Sequence, residues 1–351
     1  TFGKKDGLSD HTVWAIHEDR ERNLWIGTER GLNKFSNGKF TRFHISNGLS
    51  SDIVKSVYED RDGNLWIATF GGGLNRFKDG KFTSFTKNDG LSHDIVRTIY
   101  EDKEGSLWIG TDGGGLNQVR DGKFTSFTTK EHLSNDSTTT IYEDKHGNLW
   151  IGTFGGGLNR LNHGIVTTFT KKNGLSNDFI YSIGEDSEGN LWVGTYGGGL
   201  NKFSDGKFPS FTTKQGLSNN YVLSINEDEQ GSLWIGTSHG ELSHFSDGKF
   251  TSFVVDDGLS NVFAIHKDRL SRFWIGTSFG LNTFSNGQFT PVTSRTGSLS
   301  DVVRTIYEDR DGTLWIGGGQ GLSRFKDGKL TPVNPKTGTI QQCRIRDSRR
   351  R

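Results

Sequence analysis

The sequence predicts an all-β fold, a single closed β-propeller of eight four-stranded blades, with a seven-bladed ring plus one extra repeat as the alternative. The first observation is the phrase Leu-Trp-Ile-Gly-Thr or a close variant, whose Trp recurs every 40–42 residues at positions 25, 66, 108, 150, 192, 234, 274 and 315. A fixed period of this size is typical of repeat proteins. The second observation is that each copy contains four short β-rich runs separated by turn residues, which is the content of one propeller blade.

The copy from Gly48 to Lys87 illustrates the predicted blade. Runs rich in β-branched and aromatic residues predict its four strands, which are Ile53–Glu59, Leu65–Thr69, Leu74–Phe77 and Phe82–Phe85. Turns that contain Asp and Gly join the first strand to the second and the third to the fourth. A Gly-rich loop joins the second strand to the third, and residues 88–94 cross to the next blade. In a closed ring, the blade that contains Thr12–Asp19 would pack against the blade of Val302–Val333.

Proline positions orient the blade. Pro209, Pro291 and Pro332 all fall in the predicted fourth strand of their copies. Because Pro has no N–H to donate, it is largely confined to sheet edges. We therefore expect the fourth strand at the outer edge and the first strand along the central channel. The crossovers and Gly-rich loops then share one face, called the crossover face below, and the Asp-Gly turns share the opposite one, the hairpin face.

Composition excludes several classes of protein. The 351 residues carry a formal net charge of +1, so no overall basic field favours nucleic-acid binding. The single Cys excludes a disulfide framework. The sequence contains no run of 18 apolar residues, so it predicts no membrane-spanning helix. We expect residues 1–338 to form the propeller and residues 339–351, which are rich in Arg, to form a solvated basic tail.

Several short motifs resemble reactive sites but are better explained by blade structure. The Glu-Asp pairs, such as Glu59/Asp60, recur in most copies, whereas an active site needs only one such pair. An Asp at the start of a turn accepts hydrogen bonds from nearby backbone N–H groups. The turn from Asp60 to Asn64 resembles part of a calcium loop but lacks a consistent set of further oxygen ligands. The Gly-Gly-Gly runs lack the Lys and helix of a phosphate loop, and no Cys/His spacing predicts zinc. The sequence therefore predicts no catalytic residue, no metal and no cofactor.

Differences between the copies predict where a ligand binds. The third position of the first strand holds Trp, Lys, Arg, Thr, Tyr, Leu or Phe, which a buried core position would not accept interchangeably. The residue after the second-strand Thr, or the next one, also varies, and both positions fall on the crossover face. Aromatic and cationic side chains suit a polar, partly planar ligand, although ordinary exposed loop residues are the alternative. The candidate ligand-binding residues are Trp14, Lys55, Arg97, Tyr181, Phe263, Arg304, Phe70, Asp112, Phe154, Tyr196, His239 and Phe279.

The repeats resemble a known family from about Gly7 to Val333, and one copy illustrates the resemblance. The string VKSVYEDRDGNLWI at residues 54–67, followed by GGLNRF at residues 72–77, resembles the two-component regulator propeller repeat. The resemblance implies a periplasmic or extracellular bacterial sensor module that binds oligosaccharides or similar polar small molecules. It also implies signalling domains in a parent chain, or a dimer partner. Two alternatives stay open, namely a lyase or hydrolase on a propeller scaffold and a protein-interaction scaffold, because fold alone does not decide function.

Overall fold

The computed structural model describes residues 7–120, 122–228, 230–238, 241–254, 261–285, 288–294, 297–298 and 302–332. The predicted basic tail at residues 339–351 lies outside these ranges. Within them, eight antiparallel sheets of four strands follow one another along the chain, so no repeat is left over. The chain is an all-β propeller with eight blades, which confirms the predicted fold class.

The strands follow the predicted order in every blade. In blades 1 to 4 they are β1 (Val13–Glu18), β2 (Leu24–Thr28), β3 (Gly31–Ser36), β4 (Lys39–Phe43); β5 (Val54–Glu59), β6 (Leu65–Thr69), β7 (Leu74–Lys78), β8 (Lys81–Phe85); β9 (Val96–Glu101), β10 (Leu107–Thr111), β11 (Leu116–Arg120), β12 (Lys123–Phe127); and β13 (Thr138–Glu143), β14 (Leu149–Thr153), β15 (Leu158–Asn162), β16 (Ile165–Phe169).

The second half of the chain repeats this order. In blades 5 to 7 the strands are β17 (Ile180–Glu185), β18 (Leu191–Thr195), β19 (Gly199–Phe203), β20 (Ser210–Phe211); β21 (Val222–Glu227), β22 (Leu233–Thr237), β23 (Glu241–Ser246), β24 (Lys249–Val254); and β25 (Val262–Lys267), β26 (Phe273–Thr277), β27 (Gly280–Ser285), β28 (Gln288–Pro291). A short pair, β29 (Thr293–Ser294) and β30 (Gly297–Ser298), precedes blade 8, which consists of β31 (Val303–Glu308), β32 (Leu314–Gly318), β33 (Gly321–Lys326) and β34 (Lys329–Pro332).

The fourth strand forms the edge of each sheet, as the prolines predict. Pro291 and Pro332 lie in fourth strands, whereas Pro209 lies immediately before β20 and leaves that strand only two residues long. Backbone bonds join crossovers to second-to-third loops on the crossover face. For example, the N–H of Gly157 donates to the carbonyl oxygen of Asp178 at 2.8 Å. In the part of the chain that the structure describes, five crossovers contain a single 3-10 turn, at Ile45–Asn47, Lys87–Asp89, Thr129–Glu131, Lys171–Asn173 and Thr213–Gln215.

The blades belong to two compact units, one with blades 1, 7 and 8 and the other with blades 2 to 6. In the first unit, the last blade packs on the first through one buried apolar cluster, formed by Leu8, Val13, Ile16, Leu24, Ile26, Trp315 and Leu322. The N–H of Arg310 also donates to the Glu18 carboxylate at 3.0 Å. The N–H of Lys103 donates to Glu143 at 2.9 Å in the same way between blades 3 and 4. Blade 8 therefore meets blade 1 as one consecutive blade meets the next, which confirms the predicted junction.

Glycine in the second strand allows the next blade to approach closely. A Cβ atom added at Gly152 would lie 2.7 Å from Cγ2 of Ile180 in the next blade and 2.7 Å from Cγ2 of Thr140. We expect Gly152→Val to lower the free energy of unfolding by about 1–3 kcal/mol, the usual cost of overpacking. Urea titration would measure the loss, with Thr125→Val on the exposed side of β12 as a control that changes it by less than about 0.5 kcal/mol. Equal stability of the two variants would contradict the close packing of the two blades at Gly152.

Candidate functional site

A β-bulge begins the first strand and turns one side chain toward the crossover face. In blade 5, Ile180 pairs with Thr195 and Ser182 pairs with Gly194, so Tyr181 is the extra residue. Ile180 is 1% exposed and Tyr181 is 50% exposed. Bulges re-aim side chains in this way and are common next to functional sites. The same irregularity singles out the variable position in five other blades, at Trp14, Arg97, Thr139, Leu223 and Arg304.

The second variable position lies against the neighbouring blade. Isolated antiparallel bridges link the residue after the second strand to the residue before the next blade's first strand, and these pairs are Phe70 with Ile95, Asp112 with Ser137, Phe154 with Phe179, and Tyr196 with Tyr221. Each bridge holds the residue after the second strand close to the first strand of the next blade, where that blade's bulge lies. The two variable positions thus form one surface in the five-blade unit.

A cavity of about 410 Å³ opens in this surface. Its lining comes from blades 3, 4 and 5 and consists of Arg97, Asp112, Ser137, Thr139, Phe154 and Tyr181. Four of the predicted ligand-binding residues therefore line one cavity. Hydroxyl groups, one ion pair and two aromatic rings supply both polar partners and apolar faces, which is the usual make-up of a small-molecule site.

The ion pair in the cavity is internally neutralised. One Nη atom of Arg97 lies 2.5 Å from an Asp112 carboxylate oxygen, and the Ser137 hydroxyl donates to the other oxygen at 2.8 Å. Burial acts to raise the pKa of Asp112, but the hydrogen bonds from Arg97 and Ser137 outweigh it and hold that pKa below its ordinary value. Asp112 is therefore charged at neutral pH, and the pair offers donors and acceptors without a net charge.

Exposed aromatic rings extend from the cavity across blades 4, 5 and 6. We call them the aromatic platform, and they are Phe154, Phe179, Tyr181, Tyr196 and Tyr221, with exposed fractions from 36% to 60%. Neighbouring rings lie close together, with centroids 4.8 Å apart for Phe154 and Phe179, 6.1 Å for Tyr181 and Tyr196, and 4.5 Å for Tyr196 and Tyr221. Tyr181 and Tyr196 lie nearly parallel, at 23°, and the other two pairs meet edge to face. The platform therefore exposes a row of aromatic side chains to the solvent.

Sequence comparison missed four residues of this surface as candidates: Ser137, Thr139, Phe179 and Tyr221. Thr139 occupies the variable third position, but it was not chosen because its side chain has neither a charge nor an aromatic ring. The other three occupy the position two residues before the bulge, which also varies between the copies, for example Ile95 against Tyr221. That variation is the signal that would have found them.

The remaining predicted residues lie elsewhere. Lys55 is half-buried and Phe70 is 45% exposed in blade 2, and neither lines the cavity. Phe279 is 50% exposed in the three-blade unit. Trp14, Phe263 and Arg304 form a separate cluster in that unit, in which the Arg304 guanidinium lies 4.7 Å and 5.9 Å from the two ring centroids. His239 lies outside the described residues.

The hairpin face carries the Glu-Asp pairs, and these have structural partners. Asp102 accepts a bond from Trp108 Nε1 at 2.7 Å and from the N–H of Ser106 at 2.7 Å. Glu143 accepts bonds from the Tyr100 hydroxyl at 3.2 Å and the N–H of Lys103 at 2.9 Å. A second cavity, of about 260 Å³, is lined partly by these two carboxylates, which already accept hydrogen bonds from groups of the blades. The structure agrees with their interpretation as blade-building residues.

Two general features of the described residues bear on the site. No group of three or more His, Cys, Asp or Glu side chains is arranged to hold a metal ion in the described part of the chain. Among the same residues, we find no helix with the length and apolar character needed to cross a membrane.

Comparison with known proteins agrees with the repeat assignment. Residues 7–30, 48–71, 90–113, 132–155, 174–197, 216–239 and 297–320 match the family described as Two component regulator propeller. These segments cover the start of every blade except blade 7 and confirm the resemblance seen in the sequence. No curated protein sequence matches this chain.

Solved structures share the fold at low identity. The extracellular domain of BT4673 from B. thetaiotaomicron, described as a hybrid two component system, is 20% identical with a TM-score of 0.59, over 95% of this chain and 54% of that one. PorZ, a surface component of the type-IX secretion system of Porphyromonas gingivalis, is 17% identical with a TM-score of 0.59, over 91% and 57%. Virginiamycin B lyase from Staphylococcus aureus is 17% identical with a TM-score of 0.57, over 77% and 92%. The chain thus spans about half of the BT4673 domain.

Proposed function

Since seven repeats of this chain belong to the two component regulator propeller family, we propose that the chain is the ligand-recognition propeller of a bacterial signalling protein. Its ligand is a neutral, polyhydroxylated small molecule, with oligosaccharides as the first class to test. The ligand binds on the crossover face of blades 3 to 6. Signalling output then belongs to other domains or to a dimer partner of the parent protein.

The observation that carries this proposal is the aromatic platform beside the Arg97–Asp112 pair. Contiguous exposed apolar surface is unusual on soluble proteins and marks binding sites. The C–H face of a sugar ring stacks on aromatic rings, and its hydroxyl groups exchange hydrogen bonds with polar side chains. The cavity volume of about 410 Å³ falls within the range of about 300–1,000 Å³ that is typical of small-molecule pockets.

The charge of the cavity favours a neutral ligand. Asp112 already neutralises Arg97, so an anionic group would have to displace a charge-assisted bond of 2.5 Å. Hydroxyl groups can instead bind at the outer edges of the pair without disturbing it. Ser137 and Thr139 add further hydroxyls at the same cavity.

A location outside the cytoplasm completes the proposal. The similar domain of BT4673 is extracellular, and we propose a periplasmic or extracellular location for this chain. Virginiamycin B lyase, whose fold is also similar, makes enzyme activity the second function to test, although the described residues offer no catalytic cluster beyond the repeated pattern.

Calorimetric titration with a panel of neutral oligosaccharides tests the proposal. We expect one class to bind, and Tyr181→Ala to weaken its binding about tenfold, which corresponds to about 1.4 kcal/mol. Ile165→Ala in β16 is the matched control, because Ile165 is 70% exposed and lies away from the cavity. Mass spectrometry of the ligand after incubation reports any cleavage.

Three results would overturn the proposal. The first is that no oligosaccharide of the panel binds. The second is that Tyr181→Ala and Ile165→Ala bind the ligand equally well. The third is the appearance of cleaved product, which would identify an enzyme instead of a recognition module.

A further inference from the structure

The repeats provide an internal comparison between two arginines. The bulge residue and the residue fifteen positions later face each other, as Arg97 and Asp112 do across 2.5 Å. Arg304 occupies the bulge of blade 8, and the residue fifteen positions later is Gly319. Gly has no side chain, so blade 8 lacks the carboxylate that neutralises the arginine in blade 3.

Aromatic rings take the place of that carboxylate. The guanidinium carbon of Arg304 lies 4.7 Å from the ring centroid of Trp14, the bulge residue of blade 1. It lies 5.9 Å from the centroid of Phe263, at the same position of blade 7. Among the described residues Arg304 makes no ion pair, and its Nε atom is buried without a hydrogen-bond partner.

A guanidinium that has two aromatic neighbours and no ion pair among the described residues is suited to binding an anion. Contact with the ring faces removes water from the flat sides of the group, and its N–H donors remain in its plane. A carboxylate matches this fork of donors with two parallel hydrogen bonds. An apolar or sugar-ring face next to that carboxylate would meet the rings of Trp14 and Phe263.

We propose that Arg304, Trp14 and Phe263 form an anion-recognition site for a carboxylate-bearing sugar, a hexuronate. The site lies in the three-blade unit and uses none of the residues of the aromatic platform. It is therefore independent of the neutral-ligand site in the five-blade unit.

The decisive variant restores the missing carboxylate. Among the described residues, a Cβ atom added at Gly319 would meet only the Cβ of Val302, at an ordinary 3.9 Å, and the backbone there is not in the left-handed region. Gly319→Asp should therefore fold and neutralise Arg304 as Asp112 neutralises Arg97. Gly319→Asn has the same size without the charge and is the matched control. Arg304→Gln removes the guanidinium directly.

The probes are trigalacturonate and galactotriose of the same linkage, titrated at low ionic strength. We expect the unmodified chain to bind trigalacturonate more tightly, and Gly319→Asp and Arg304→Gln to weaken that binding about tenfold or more. Gly319→Asn should retain it, and melting temperatures should confirm that all variants fold. Binding of the neutral trisaccharide should not change in Gly319→Asp.

Equal affinity of the unmodified chain for the two trisaccharides would overturn the anion site. An equal loss in Gly319→Asn and Gly319→Asp would also overturn it, because size and not charge would then control binding. Failure of neutral oligosaccharides to bind, with the carboxylate preference intact, would instead remove only the proposed function of the aromatic platform.

Discussion

Replacing Trp150 by alanine is expected to lower the free energy of unfolding by about 3–5 kcal/mol, the usual cost of deleting a large buried aromatic ring. The side chain is 2% exposed. It packs in one cluster between its own blade and the next, formed with Leu158, Leu175, Ile180, Leu191, Val193 and Phe208. Its loss would leave a cavity at the junction of blades 4 and 5.

The ring of Trp150 also makes directed contacts that alanine cannot replace. Its centroid lies 5.1 Å from that of Phe203 in an edge-to-face arrangement and 5.8 Å from that of Phe169. The Arg160 guanidinium lies over it at 5.8 Å, and Nε1 donates to Asp144 at 2.8 Å. Aromatic pairs add about 0.5–1.5 kcal/mol beyond area burial, so the upper part of the expected range is reasonable.

Urea unfolding followed by Trp fluorescence and circular dichroism measures this loss. Phe154→Ala is the control, since Phe154 is an aromatic residue of the same blade that is 60% exposed. We expect that control to change stability by less than about 0.5 kcal/mol. Similar losses in the two variants would show that Trp150 does not carry the blade junction.

The sequence was sufficient to predict the blade. The second strand, Leu65–Thr69, agrees at both ends, and the other strands of that copy differ by one residue at most. The reason is that each blade repeats the same local requirements: alternating apolar residues, Asp-Gly turns and one Trp. The role of Asp at the turn start was also predictable, because a residue present in every blade serves the blade.

The surface proposed to bind ligand was only partly predictable. The repeat period and the strand propensities of the residues identify the variable positions. The bulge that exposes Tyr181 depends instead on the pairing of two strands, and no sequence motif marks it. The difference between Arg97 and Arg304 depends on a residue fifteen positions away, so neither arginine can be interpreted alone. Phe179 belongs to the surface because it faces Phe154 of the preceding blade, which is a contact between repeats.

The second large effect is expected at Asp144, the carboxylate that holds the Trp150 ring and the hairpin turn. Asp144 is 6% exposed. One of its oxygens accepts the N–H groups of His146 at 2.9 Å and Asn148 at 2.8 Å. The other accepts Trp150 Nε1 at 2.8 Å and the Asn148 side-chain amide at 2.7 Å. A Trp–Asp bond of this kind is present in all eight blades.

Asp144→Ala should lower the free energy of unfolding by about 2–4 kcal/mol. The variant leaves the buried indole N–H without an acceptor, at a cost of about 1–3 kcal/mol, and it also removes the bonds that fix the turn. Glu104→Ala is the control, because Glu104 is an acidic residue of an equivalent turn whose side chain is 77% exposed. Chemical denaturation at neutral pH should show little change for the control. A loss at Glu104 as large as that at Asp144 would contradict the role of the Trp–Asp bond.

The effect of Asp144 should also depend on pH. Burial acts to raise the pKa of Asp144, but the bonds from Trp150 and Asn148 outweigh burial and hold the pKa below its ordinary value of 3.8. A carboxyl group whose pKa is lowered by folding contributes stability above its unfolded pKa, and that contribution is lost as the pH falls through the folded value. The difference in unfolding free energy between the unmodified chain and Asp144→Asn should therefore be constant near neutral pH and shrink below about pH 4. A difference that stays constant down to pH 2, or grows on acidification, would show that the charge on Asp144 does not stabilise the blade.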